Sequence, residues 1–258
     1  MLENWMPINA SANGQDIDQL ISYVHVLMLV LFVGWGSFYV YTLIRFRAKN
    51  NPKANPEGVK SHVSSYIEGA VAVFEVILLI AFSIPLYSRA VTNLPKESDA
   101  VVVRVIAEQF AWQIQYPGPD GKFGKTDPKL VDVQTNPLGL DKTDPNALDD
   151  FFTTNQLHVP TGKPVIVRIT SKDVIHSFGL PNFRVKQDAI PGMEVATWFE
   201  SNKVGTFNIA CSQLCGNSHY RMRGFVESQD PQAYATWLSE QKPFFAAETG
   251  GSSDSFWN

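Results

Sequence analysis

The sequence predicts a two-helix membrane hairpin followed by an all-β domain of Greek-key type. Three observations carry this. Residues 20–44 and 67–87 are apolar runs, each long enough to cross a hydrocarbon core of about 30 Å at about 1.5 Å per helical residue. The stretch between them is basic. After residue 88 the pattern changes to many short apolar runs divided by Gly and Pro, the mark of a β-sandwich or barrel.

Residues 1–19 hold no Lys or Arg, so the basic start of a cleaved leader is missing and the segment reads as extracytoplasmic. The first helix, about 20–44, has His25 as its one residue able to carry charge. The loop 45–64 carries Arg45, Arg47, Lys49, Lys53 and Lys60 against Glu57, which places it in the cytoplasm and both ends of the chain outside. Buried core helices would give similar apolar runs, but the basic loop between them favours a hairpin. The second helix, about 65–88, contains Glu68 and Glu75. In the outer domain, 88–245, strands are expected at 101–107, 112–116, 156–159, 164–170, 194–199, 205–209 and 224–227. Residues 117–150, rich in Pro, Gly, Asp and Lys, read as a hairpin or inserted loop, and 246–258 as a loose tail. A closing helix is expected at 231–241, with Asp230 as its N-cap and Pro231 at its first position. The formal net charge of −4 gives no reason to expect nucleic acid.

The stretch Cys211-Ser-Gln-Leu-Cys215-Gly-Asn-Ser-His219-Tyr-Arg-Met222 holds both cysteines of the chain, a histidine and a methionine. A disulfide, a zinc site or buried thiols would each account for two cysteines four apart. A disulfide leaves His219 and Met222 unexplained, and methionine is a poor zinc ligand. Thiolate, imidazole and thioether donors together favour copper. The spacing would also suit one helix face, but a strand-like run precedes it and Gly216 interrupts it, so a loop between two late strands is expected. A mononuclear blue-copper site needs one cysteine, whereas two thiolates can bridge two metals. His176, expected near the end of the 164–170 strand, supplies a second imidazole, with mid-strand His158 its competitor. Gln213, between the cysteines, is the position for an oxygen donor.

With Asp173-Val-Ile-His-Ser-Phe178 and Val185-Lys-Gln-Asp-Ala-Ile-Pro-Gly192, this loop resembles subunit II of the haem-copper cytochrome c oxidases, over nearly the whole chain. The resemblance implies a cupredoxin-like domain with a dinuclear copper centre, CuA, held by His176, Cys211, the Gln213 carbonyl, Cys215, His219 and Met222. It implies that electrons come from cytochrome c or a similar one-electron carrier. They then pass to haem in subunit I, which reduces O2 to water with proton translocation. Oxidase subunits I and III and the lipid bilayer are the implied partners, with the copper domain on the outer side of the membrane.

The sequence departs from the family at three places. Gln213 stands where the family has Glu, which removes the carboxylate that reaches a Mg or Mn site at the subunit I interface. Gln109-Phe-Ala-Trp112 replaces the family's Gln-Trp-Tyr-Trp. Phe110 thus takes the place of the usual electron-input Trp, and Trp112 matches the second one. Met193 stands where Arg is common and is assigned no role. Asp173 matches an acidic docking position, and Glu68 a glutamate at the mouth of a proton path. Glu75, two turns deeper, has no usual family counterpart. These departures and the inserted loop point to a bacterial cytoplasmic membrane rather than the mitochondrial inner membrane. A quinol-oxidase subunit would lack the copper ligands, and a nitrous-oxide-reductase domain would lack the hairpin. A zinc-stabilised membrane assembly subunit would be colourless.

Overall fold

The computed structural model describes residues 5–53, 56–58 and 60–248. Two compact units are present, Gln15–Arg89 and a second made of Trp5–Gly14 with 90–248. The last part of the tail expected at 246–258 lies outside the described residues.

Two helices, α1 (Gly14–Arg45) and α2 (Val63–Tyr87), make up the first unit. Both are long and apolar enough to cross a membrane, and the most apolar stretch of neither is buried by the rest of the chain. A helix apolar on all sides and uncovered is suited to lipid rather than water. The two run antiparallel. Tyr23 meets Phe82 edge to face at 5.7 Å, and Asp16 meets Arg89 at 3.7 Å. α2 widens into a π-helical turn at Leu79–Ser83, just before Pro85. Proline has no N–H for the carbonyl four residues back and its ring crowds that turn, which accounts for the local change of pitch.

The second unit is a sandwich of two five-stranded sheets. Its strands are β1 (Val101–Glu108), β2 (Ala111–Tyr116), β3 (Phe151–Thr154), β4 (Gln156–Pro160), β5 (Pro164–Ser171), β6 (His176–Leu180), β7 (Val185–Ala189), β8 (Val195–Glu200), β9 (Gly205–Cys211) and β10 (Arg223–Gln229). One sheet runs β3-β2-β1-β5-β8 and the other β4-β10-β9-β6-β7. Pairing is antiparallel except for β1 with β5 and β10 with β4. The facing sides bury Val103, Val105, Trp112, Ile114, Val165, Val167, Phe178, Leu180, Ile209 and Val226 in one continuous core. The closing helix α3 (Pro231–Glu240) is capped by Asp230, whose side chain accepts from Gln232 N at 2.9 Å. Its Trp237 stacks on His158, ring centroids 4.1 Å apart, and packs against Tyr116 and Phe151.

Three strands, β3, β6 and β7, have no counterpart among the expected ones. β6 is buried along its whole length, so it shows no in–out alternation to read. The segment ahead of α1 also belongs to the sandwich. Ala10 N donates to Asn182 O at 2.8 Å, Ala12 N to Glu200 O at 2.9 Å, and Asn202 N to Ala10 O at 3.0 Å. Such pairing depends on distant backbone and leaves no periodic trace.

The loop between β2 and β3 folds over one sheet with a small core of its own. Leu138, Leu140 and Ala147 pack with Ile106, and Phe152, Phe244 and Phe245 lie against them. Asp150 pins it, accepting from Gly124 N at 2.8 Å and from Gln115 Nε2 at 2.6 Å. Burial pushes the Asp150 carboxyl up to about 6, against the pull of those two hydrogen bonds, with Asp149 adding to the rise and Arg104 opposing it. A carboxyl raised in the fold contributes stability that is complete below its ordinary value of 3.8 and is lost as pH rises through about 6. Each unit of pKa is worth about 1.4 kcal/mol. Thermal unfolding of wild type and Asp150→Asn between pH 4 and 8 is therefore expected to favour the amide increasingly as pH rises. A difference that does not change with pH would refute the raised carboxyl.

Candidate metal centre

β9 ends at Cys211, and the chain then loops to Met222, just before β10. β6 lies beside β9, with Phe178 opposite Cys211, and starts at His176. The topology thus brings the end of one strand, the start of its neighbour and the connecting loop to one point. The turn between β1 and β2 closes over the loop. Gly216 has φ +138°, and a Cβ there would stand 2.7 Å from Gln109 Nε2 and 3.1 Å from the Phe110 ring. A side chain at 216 would be strained and would push the turn away. Gly179 similarly lets β6 approach, since a Cβ there would stand 2.5 Å from Ser212 Oγ.

All six sequence-predicted donors meet there. Cys211 Sγ lies 3.8 Å from Cys215 Sγ, 3.9 Å from His176 Nδ1 and 3.1 Å from Gln213 O. Cys215 Sγ lies 3.5 Å from His219 Nδ1 and 3.8 Å from Met222 Sδ, which is 3.1 Å from His176 Nδ1. Neither cysteine is in a disulfide. His176, Cys215 and Met222 are buried, which keeps water from competing for a soft metal. The competing imidazole, His158, lies under Trp237 and takes no part.

The surroundings tune the donors. His176 Nε2 donates to Asp173 Oδ1 at 2.8 Å, which leaves Nδ1 facing the thiols. A carboxylate behind a ligating histidine fixes its tautomer and ring orientation. Burial acts to raise the Asp173 carboxyl, but hydrogen bonds from His176, Gln109 N and Val174 N outweigh it and hold it below its ordinary value. Burial, then the neighbouring Cys211, pushes the Cys215 thiol up to about 11. A metal bound here would have to displace that proton.

The predicted docking residues separate. Phe110 is 36% exposed at the hairpin tip, and Asp173 is partly exposed. Trp112 is 0% exposed, so it cannot touch a docking partner. Its ring instead stands 6.2 Å from the His176 ring and 5.4 Å from that of Phe178. Sequence reasoning passed over Leu214 (77% exposed) and Tyr220 (82% exposed), large apolar side chains within the ligand loop. Their place between or beside ligand residues was the available signal. Glu68 and Glu75 belong to the helical unit, are exposed, and show no partner among the described residues.

Helical anchor, β-sandwich and thiol–imidazole–thioether cluster together define a membrane-anchored protein with a candidate soft-metal centre. The family description "Cytochrome C oxidase subunit II, periplasmic domain" matches residues 101–229. The alternative cytochrome c oxidase subunit 2 of Bradyrhizobium diazoefficiens is 35% identical over 243 residues, covering 93% of this chain and 84% of the relative. Cytochrome c oxidase subunit 2 of Cereibacter sphaeroides is 29% identical over 252 residues, covering 91% and 78%. The crystal structure of the periplasmic domain of subunit II of cytochrome oxidase from Bradyrhizobium japonicum is 31% identical. It covers 57% of this chain and 95% of that one, with a TM-score of 0.42. On the family match and the 35% relative, this chain belongs to the cytochrome c oxidase subunit II family, whose members are subunits of an oxidoreductase.

Proposed function

We propose that this chain is the electron-input subunit of a terminal cytochrome c oxidase. It accepts electrons from cytochrome c or a similar carrier and delivers them to haem in subunit I. There O2 is reduced to water, coupled to proton translocation. The observation that carries this reading is the convergence of all six donors around two thiols 3.8 Å apart. Two sulfurs, two imidazole nitrogens, a thioether and one carbonyl suit a pair of copper ions and suit magnesium or calcium poorly. When bound, the copper pair supplies reversible one-electron transfer.

The chain's own residues do the rest. Cys211 and Cys215 would bridge, His176 and His219 would hold the two ends, and Met222 and the Gln213 carbonyl would be the weak donors. Asp173 orients His176, and the rigid strands β6 and β9 keep the geometry fixed whichever charge the site carries. Exposed Phe110, Leu214 and Tyr220 offer apolar surface near the ligands for a carrier or a partner subunit. Subunits I and III are the proposed membrane partners, and Glu68 the proposed mouth of a proton path. Gln213 brings no carboxylate, so a Mg or Mn site is not part of the proposal. The membrane is proposed to be a bacterial cytoplasmic membrane, with the metal domain outside.

Metal analysis of the full-length chain, purified in detergent and reconstituted with copper, is expected to find two copper ions per chain and a purple colour. A colourless, zinc-only protein would overturn the reading.

A further inference from the structure

Gln109 forms the turn between β1 and β2, and it touches both arms of the candidate centre. Its backbone N–H donates to Asp173 Oδ2 at 2.7 Å, and the other oxygen of that carboxylate holds His176 Nε2 at 2.8 Å. Its side-chain Nε2 donates to the Cys215 carbonyl at 2.6 Å. The sense of that amide is fixed, because a carbonyl can only accept. The loop needs outside support at this point. Ser212 N is tied to Ser177 O, and the backbone bonds from His219 to Met222 are internal to the loop. Among the described residues, Gln109 is the group from outside the loop that hydrogen-bonds the stretch from Gln213 to Gly216. Gly216 leaves the space that the Gln109 amide occupies.

We propose that Gln109 is a positioning residue for the metal centre: its two hydrogen bonds lock the Cys215 arm to the His176 arm across the mouth of the sandwich. The inference rests on the copper reading. The clamp acts through the Cys215 peptide and the Asp173 carboxylate, so removing the amide loosens the Cys215 thiolate relative to His176 without deleting a ligand. Gln109 is itself exposed, and its replacement leaves no cavity.

The test uses the copper-loaded full-length chain in detergent. Gln109→Met keeps the length and the backbone N–H but loses the donor. Gln113→Met is the matched control: Gln113 lies on the same hairpin, and the change loses its bonds to Glu108 on β1 and Thr154 on β3, neither of them a ligand. Gln109→Met is expected to release copper to a chelator about fivefold faster, the change that loss of one hydrogen bond of ordinary net strength produces. It is also expected to displace the charge-transfer bands and the copper hyperfine pattern, while Gln113→Met matches wild type in both readouts. Copper present in wild type with Gln109→Met unchanged would sink this inference alone. An equal effect from Gln113→Met would also sink it, since it would mean general loosening of the hairpin. A wild-type chain that takes up no copper would remove the copper reading first, and this inference with it.

Discussion

Cys215→Ser is expected to abolish the mixed-valence absorption of the copper-loaded chain. The Cys215 sulfur stands within 3.8 Å of the Cys211 sulfur, the His219 nitrogen and the Met222 sulfur, so it joins three other donors of the cluster. Serine occupies nearly the same volume but presents a hard oxygen whose proton is not lost near neutral pH. It cannot replace a bridging thiolate for a soft metal. Electron uptake is expected to fall by more than the roughly 10–100-fold that changes behind a ligand cost. Visible and near-infrared spectra with metal content per chain are the measurement. An unchanged spectrum would refute bridging by this thiolate. Thermal unfolding of the metal-free variant separates loss of the site from loss of the fold.

The second large effect is expected from Trp112→Ala. Trp112 is fully buried between the sheets and packs edge to face against Phe178 and His176. Emptying such a position costs about 3–5 kcal/mol. In a domain of this size that lowers the unfolding midpoint by about 10 °C. The indole Nε1 has no hydrogen-bond partner among the described residues, so Trp112→Phe removes no polar contact and is expected to cost much less. Thermal unfolding of the two variants tests this. A Trp112→Ala variant as stable as wild type would contradict the packing role. Any loss of electron transfer in that variant would arise through the wall behind His176, since Trp112 has no surface to offer a carrier.

Some of this was legible in the sequence because the physics involved is local. A membrane span needs a sustained apolar run, and the basic loop between two such runs is the signal from which their orientation is expected. The strands β1, β2, β4, β5 and β8–β10 announce themselves by short apolar runs between turns, and α3 by Asp230 and Pro231. The ligand types in 211–222 declare a soft metal by chemistry alone. β6 escaped notice because a strand buried on both faces has no alternation. The small core of the inserted loop left no sign in the sequence, because its apolar residues Leu138, Leu140 and Ala147 are scattered and pack with Ile106, Phe152 and the distant Phe244 and Phe245.

The sequence by itself determined the two-part architecture and the candidate donor set, and it pointed to copper rather than harder metals, since length, charge and ligand softness are properties of residues. Only the tertiary structure decided how those donors meet. It showed that His176 opens a strand beside β9 and that Asp173 stands behind it. It put Trp112 in the core and Phe110 at the surface, and it laid Gln109 across both ligand arms. Such facts depend on groups far apart in the chain, and no local pattern encodes which of them the sheet pairing brings together.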